Sequence, residues 1–330
     1  MNQALAMKLA DIGADYQKVV GYPFDHFYCP ILFRDERTPL CRAHIINAAF
    51  RSSDRGWTVQ REDVDGFYGA FIESEFLAVQ ERGKHNGLDV LTDKTLARRL
   101  QPKLVRDGVE VGHYFPKGPV PAEFSEATIN REGKPTVRLA LKLHPSEMAT
   151  GLQGDWQVEI DRDIRVAALG SLLKAAHLTL FDMLGYQYGL SAGGYFIGHD
   201  ILGEFFRANK GRAKSTILEN AERHFREFVN LVRPVVSAPP AWKGTSSDGL
   251  LYLCTGTPGP WALLTLIKTE DQMHAVIVPV LESAEGAARF ASFLKDPPPR
   301  FEVRLTKFVK DCWEVSKVSN TFVWPPANFV

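Results

Sequence analysis

The pattern of apolar residues predicts an α+β fold. Three observations carry this. Ile164, Ala168, Leu172, Ala176, Leu180 and Leu184 recur at the period of one long helix over residues 163–184. Residues 109–115 and 137–143 alternate apolar and polar side chains, the period of a strand. Strand-like runs then crowd the last third of the chain, at 250–255, 261–267, 274–280 and 301–309, and read as an antiparallel sheet.

The remaining elements follow in order. Residues 4–20 read as a helix with Leu5, Leu9 and Ile12 on one face, ended by Pro23. Apolar runs at 27–32 and 40–46 flank Asp35-Glu36-Arg37-Thr38-Pro39, turn chemistry that makes the pair a hairpin. Phe67, Phe71, Phe76 and Val79 restore helical spacing over 64–80. Thr92 or Asp93 caps another helix, which Pro102 breaks. Past the long helix, Gly193-Gly194 interrupts the pattern and 201–206 resumes it. Ser215 caps a helix to 232, with Pro234 as its stop, and 284–294 is a last helix. Two units are expected, 1–107 and 108–330, with a sub-boundary at the Pro- and Gly-rich stretch 237–249.

Composition narrows the function classes. With 45% apolar and 24% charged residues among 330, the chain has a core to bury and is not wholly disordered. Lys and Arg number 39, as do Asp and Glu, which argues against coating nucleic acid or membrane through bulk charge but leaves a local basic cleft open. Four cysteines do not make a disulfide framework. Residues 1–10 lack the apolar run of a signal peptide, and the longest uncharged stretch, 183–199, is shorter than the roughly 20 apolar residues of a membrane span. The expectation is a soluble, cytoplasmic protein without a membrane partner.

Near the N-terminus, His26 and Cys29 form an H-x2-C pair, and after eleven residues Cys41 and His44 form a C-x2-H pair. Thiolates and neutral imidazoles are good ligands for tetrahedral Zn²⁺, so His26, Cys29, Cys41 and His44 are candidate ligands of a structural zinc. The bland alternative puts His26 on the surface and both cysteines in strands or core.

The run Cys41-Arg42-Ala43-His44-Ile45-Ile46-Asn47, followed by residues 61–73, resembles the core of the HNH endonucleases, the ββα-metal family, in its zinc-containing branch. The resemblance covers about residues 26–76. Arg61 and Val64 stand where that branch has a cysteine pair, Asp65 where it has an Asn, and Ala43 where many members have an acid. It implies a ββα-metal-like hairpin-helix unit in which His44 is the general base that activates water against a phosphodiester. Asp65 would hold Mg²⁺ or Mn²⁺, with Asp63 assisting. The implied function is a metal-dependent endonuclease whose partner is nucleic acid, with 108–330 supplying specificity or sensing. The alternative is a non-catalytic interaction protein stapled by zinc. His44 cannot be both a locked zinc ligand and a free base.

Two acid-free basic clusters are candidate phosphate contacts. One contains Lys94, Arg98, Arg99, Lys103 and Arg106, of which Arg98, Arg99, Lys103 and Arg106 are taken as the phosphate-binding set. The other contains Arg207, Lys210, Arg212 and Lys214. Neither interleaves aromatics in the sequence as a single-strand groove does. A third function class rests on Gly189-Leu190-Ser191-Ala192-Gly193, a G-x-S-x-G match that makes Ser191 an alternative nucleophile, with Asp248 and His274 in the right order to complete a triad. His177, inside the best helix, reads as a satisfied core residue, and Cys254 and Cys312 as small buried hydrophobes. Trp261, Trp313 and Trp324 read as core.

Overall fold

The chain divides into two units, one built from Met1–Leu77 with Ile164–Val330 and the other from Ala78–Asp163. The expected boundary at 107 therefore cuts through the second unit, which is inserted into the first. No shift in composition marks either end of the insertion, so local sequence carried no sign of it. The computed structural model describes residues 3–46, 56–78, 95, 103–106, 109–113, 124–129, 135–139, 156–159, 166–235, 251–256, 259–268, 273–309 and 312–325.

The first unit opens with helix α1 (Gln3–Val20). Strands β1 (Leu40–His44) and β2 (Trp57–Arg61) then pair antiparallel, Cys41 opposite Gln60 and His44 opposite Trp57. The hairpin runs directly into α2 (Glu62–Tyr68), which loosens into a π-helical turn over Gly69–Glu73. A hairpin-helix unit is thus present, but its strands are not both the expected ones. Residues 27–32 are a turn, tied by the single bridge between Tyr28 and Asp35. Phe33 turns the chain there with a φ of 53°, the one non-glycine positive φ among the described residues. The apolar Ile31 and Leu32 that mimic a strand are apolar because the turn is buried.

The second unit holds β3 (Lys103–Arg106), β4 (Val109–His113), β5 (Phe124–Ile129), β6 (Pro135–Leu139) and β7 (Trp156–Glu159). They form an antiparallel sheet in the order β4-β3-β7-β6-β5. Of the alternating segments, 109–113 forms β4 and 137–139 lies in β6; the rest of both lies outside the described residues.

Back in the first unit, the long helix is α3 (Val166–Gly189). Its length and composition would let it cross a membrane, but 83% of its most apolar stretch is buried inside the fold, as a core helix requires. After it come α4 (Ala192–Tyr195), a π-helical segment Phe196–Gly203, α5 (Glu204–Asn209) and α6 (Lys214–Arg226). The C-terminal part is a sheet of β8 (Val232–Pro234), β9 (Leu251–Cys254), β10 (Ala262–Lys268), β11 (Met273–Pro279), β12 (Arg300–Val309) and β13 (Cys312–Val323), with α7 (Ala284–Lys295) between β11 and β12. All pairs are antiparallel, in the order β13-β12-β9-β10-β11-β8.

Strands β10 and β11 are buried on both faces. Helix α3 packs on them. Phe293 of α7 meets Trp261 at 5.1 Å and Trp324 at 5.4 Å between ring centres. Trp261 and Trp324 are core residues, as expected. Trp313 is not: it is 40% exposed, because β13 is an edge strand with a neighbour on one side only.

Near its C-terminus α3 kinks at Gly185, whose φ of 58° and ψ of −146° lie in a region open essentially to glycine alone. The kink turns the N–H of Tyr186 toward α1, where the Asp15 carboxylate accepts it at 2.6 Å. A Cβ at 185 would collide with that carboxylate. Gly185→Ala is expected to destabilise the protein by about 2–3 kcal/mol, read as a lower urea midpoint with unchanged m-value.

Candidate functional site

The turn from Tyr28 to Asp35 is held from beneath by side chains of α3. The Nε2–H of His177 donates to the Pro30 carbonyl at 3.0 Å, which leaves Nδ1 to accept the Tyr188 hydroxyl at 2.9 Å. Burial pushes the His177 pKa down to about 4, so the ring is neutral, the satisfied core histidine expected from its place in the helix. The Tyr186 hydroxyl donates to the Tyr28 carbonyl. From the other side, Asp35 accepts the N–H groups of His26 at 3.0 Å and Phe27 at 2.9 Å. The π-helical segment comes close enough to support the turn because it carries Gly198 and Gly203. A Cβ on the first would collide with the Pro30 carbonyl, and one on the second with the Ile31 carbonyl. Phe33, Arg34 and Glu36 are therefore presented from a fixed backbone.

The candidate zinc ligands do not converge. In a strand, residues three apart point to opposite faces. Cys41 and Ala43 face α2, with Thr58 and Gln60 opposite them on β2. His44 shares the other face with Arg42 and its cross-strand partner Trp57, over whose ring the Arg42 guanidinium lies at 4.5 Å. The Nε2–H of His26 is taken by the Thr38 carbonyl at 2.7 Å. The Cys29 thiol donates to Gln60 Oε1 at 3.1 Å, and its sulfur accepts the Leu32 N–H at 3.4 Å. Burial pushes the Cys29 thiol up to about 11 and the Cys41 thiol up to about 12. Among the described residues, no three His, Cys, Asp or Glu side chains gather as a metal site. His26, Cys29, Cys41 and His44 thus do not fit one Zn²⁺.

Nor do His44, Asp65 and Asp63 form a set around a divalent ion. Asp65, on α2, meets the ammonium of Lys174 at 2.8 Å, and the same ammonium meets Glu73 at 2.7 Å. Lys174 is 1% exposed, yet its pKa is raised. Burial alone would lower it, and the two carboxylates outweigh that. A lysine from α3 thus supplies the positive charge beside Asp65. Asp63 points elsewhere, into a chain in which Arg61 bridges Asp63 at 3.1 Å and Glu36 at 2.5 Å while Lys210 reaches Asp63 at 2.7 Å. Burial works against the charge of Asp63, but Arg61 and Lys210 hold its carboxyl below the usual range.

Ser191 is a helix cap. Its hydroxyl donates to the Tyr188 carbonyl at 2.7 Å and accepts the Gly194 N–H at 3.1 Å. No strand precedes it, since α3 runs to Gly189. Ser191 lines an apolar cavity of about 220 Å³ with Pro279, at one end of β11. His274 lies at the other end, five residues or about 17 Å away along the strand. It is fully buried, with no hydrogen-bond partner for either ring nitrogen among the described residues. Asp248, Arg98 and Arg99 lie outside the described residues, and Lys103 and Arg106 begin and end β3 of the second unit.

The second basic cluster is the one the fold gathers at a recess. Arg207 and Lys210 line a recess of about 230 Å³ together with Arg34, Arg61, Glu36, Leu32 and Phe206. Four cations from three distant segments thus face one space with a single acid on its wall. Arg61 is fixed by Glu36 and Asp63, and only 5% of its side chain is exposed. Arg34 meets Glu36 at 3.5 Å and Lys210 meets Asp63 at 2.7 Å, but 58% and 56% of their side chains are exposed, so each can exchange its surface partner for a ligand. Arg207 has no closer carboxylate among the described residues than Glu204 at 3.8 Å, and its Nη1 has no hydrogen-bond partner there. Arg207 and Lys210 were legible as an acid-free run. Their partners Arg34 and Arg61 were not, because only tertiary structure brings them near.

No protein-family model, curated protein or solved structure matches the chain.

Two outcomes follow. Lys174→Met is expected to cost about 3–5 kcal/mol in urea unfolding, since it removes the ammonium 2.7 Å from the buried Glu73. Adding Glu73→Gln should recover much of that loss. The second outcome concerns pH. Between its unfolded value of 6.5 and its folded value of about 4, the His177 ring binds more protons in the unfolded chain, so stability falls as pH falls through that window. From pH 7.5 to 5 this amounts to about 2 kcal/mol for His177. His177→Gln, which keeps a donor and an acceptor but does not titrate, should remove that share of the slope.

Proposed function

We propose that this protein binds the phosphate backbone of a nucleic acid in the recess of Arg34, Arg61, Arg207 and Lys210, and that its hairpin-helix unit is the scaffold of that site. The observation that carries the reading is the convergence of these four cations on one recess in a chain of zero net charge. A chain with 39 basic and 39 acidic residues has no bulk attraction for polyanions, so a local excess of this kind marks the place where one would be held. Arg presents a planar fork that matches two phosphate oxygens, and Lys a mobile point charge; the recess has both kinds. Metal-free binding is the simpler chemistry here, because Asp65 and Asp63 are both neutralised by the chain's own cations.

One observation favours a second reading, phosphodiester hydrolysis of the HNH kind. The order strand, strand, helix is present, and His44 closes the first strand with its side chain half-buried. In that reading His44 takes a proton from water. Its phosphate would lie apart from the recess, because Arg61 and Leu40 close the opposite end of the hairpin from His44 and Trp57.

Fluorescence anisotropy with labelled DNA and RNA tests both readings in one set of samples. Wild type should bind with an affinity that falls as salt rises. Arg207→Ala with Lys210→Ala should weaken binding about tenfold or more and flatten the log–log salt slope by about 0.7–0.9 for each cation removed. Unchanged affinity and slope in the double variant would overturn the site. Gel analysis of the same mixtures with Mg²⁺ or Mn²⁺ should show intact nucleic acid; cleavage that His44→Ala abolishes would establish the second reading instead.

A further inference from the structure

Beside the basic recess lies a group of aromatic rings that the phosphate reading does not use. Tyr195 and His199 stack with ring centres 4.4 Å apart and planes 18° from parallel. Phe33 closes the group edge-on, 4.8 Å from Tyr195 and 5.7 Å from His199. Tyr195 is 41% exposed, an unusual position for a large ring that already has aromatic neighbours. His199 sits in the π-helical segment, a wide turn of the kind often found at functional sites.

The group is joined to the recess by shared residues. Phe33 and Arg34 are consecutive, so one turn delivers both an aromatic ring and a cation. The strained φ of 53° at Phe33 is what aims the turn this way, and such strain survives where the surroundings require it. Arg207, a wall of the recess, donates from Nη2 to His199 Nε2 at 3.2 Å and to the His199 carbonyl at 3.3 Å. Arginine has no acceptor, so Nε2 accepts and the proton sits on Nδ1, which donates to Asp200 at 2.8 Å. The imidazole is thereby held in the plane that lies against Tyr195.

We infer that the ligand of this site is single-stranded nucleic acid, with an unpaired base stacking on Tyr195 while the adjoining phosphate sits among Arg34, Arg207 and Lys210. This rests on the phosphate reading above and names its substrate class. Every base has a flat π-face, and an exposed ring next to a basic recess accepts it without reading sequence. A base within a duplex is stacked on its neighbours and cannot present that face. Charge complementarity fixes the phosphate, and the arginine shared between the two surfaces sets them side by side.

The experiment compares three probes on the full-length chain: a single-stranded DNA or RNA oligonucleotide, the matching duplex, and inorganic polyphosphate, which has no bases. Wild type is expected to prefer the single strand over the duplex. Tyr195→Ala should lower single-strand affinity roughly tenfold to a hundredfold and leave polyphosphate affinity unchanged, while Tyr195→Phe keeps single-strand binding. The melting temperature of Tyr195→Ala should stay near that of wild type, since the ring is substantially exposed. Preference for duplex, or equal single-strand affinity in Tyr195→Ala, would overturn the stacking site and leave the phosphate site standing if the Arg207 and Lys210 double variant still loses all three probes. Should wild type bind none of them, both readings fall together.

Discussion

The carbonyl of Pro30 points into the protein and meets an imidazole on the central helix. That contact between His177 and a turn 147 residues earlier in the chain decides what the surface above it can do. A backbone oxygen buried without a donor would cost on the order of 1–3 kcal/mol, so the turn stays where the donor is. The Pro30 carbonyl, an acceptor only, fixes the tautomer of His177, Tyr188 donates to its other ring nitrogen, and the Tyr186 hydroxyl donates to the Tyr28 carbonyl alongside. Gly198 and Gly203 leave room for the same stretch of backbone from the other side. The positions of Phe33, Arg34 and Glu36, and through Glu36 that of Arg61, follow from this one buried arrangement.

A second buried arrangement bears on the HNH-like stretch. Lys174 brings one positive charge to the two carboxylates Asp65 and Glu73. Seen alone, residues 61–73 offer carboxylates and suggest a cation from solution. Folded, the cation is supplied by α3 and held in place covalently. One ammonium thus sits between two carboxylates inside the unit, while four cations gather outside it, at the recess.

Much of the scaffold was legible in the sequence, because long segments with one period leave little choice. Helix α1, helix α3, strands β9 to β12 and helix α7 all lie where periodicity put them, within a few residues at each end. The first hairpin was misread for a physical reason: Ile31 and Leu32 are apolar because a turn is buried beneath later helices, and buried turns imitate strands. The zinc quartet held a warning within itself. Cys41 and His44 were both placed on one strand, where a separation of three residues sends side chains to opposite faces. Of the recess, Arg207 and Lys210 were visible as a local run, whereas Arg34, Arg61 and the rings of Phe33, Tyr195 and His199 are joined only through tertiary contacts that no local signal encodes.

The divided first unit has a consequence for how the chain comes to be folded. The hairpin and α2 are made early, yet the groups that complete them are made late: Lys174 for Asp65 and Glu73, His177 for Pro30, and the Leu202 carbonyl that accepts the Tyr68 hydroxyl at 2.7 Å. All of these follow the inserted second unit, which must be synthesised first. During synthesis, then, the N-terminal segment emerges with its buried polar groups unmatched and waits for the ribosome to deliver its core. The second unit is continuous in sequence, and among the described residues its strands pair only with one another. Vectorial synthesis thus favours a middle that folds before either of its flanks, and a stretch that resembles a free-standing module behaves as half of a discontinuous one.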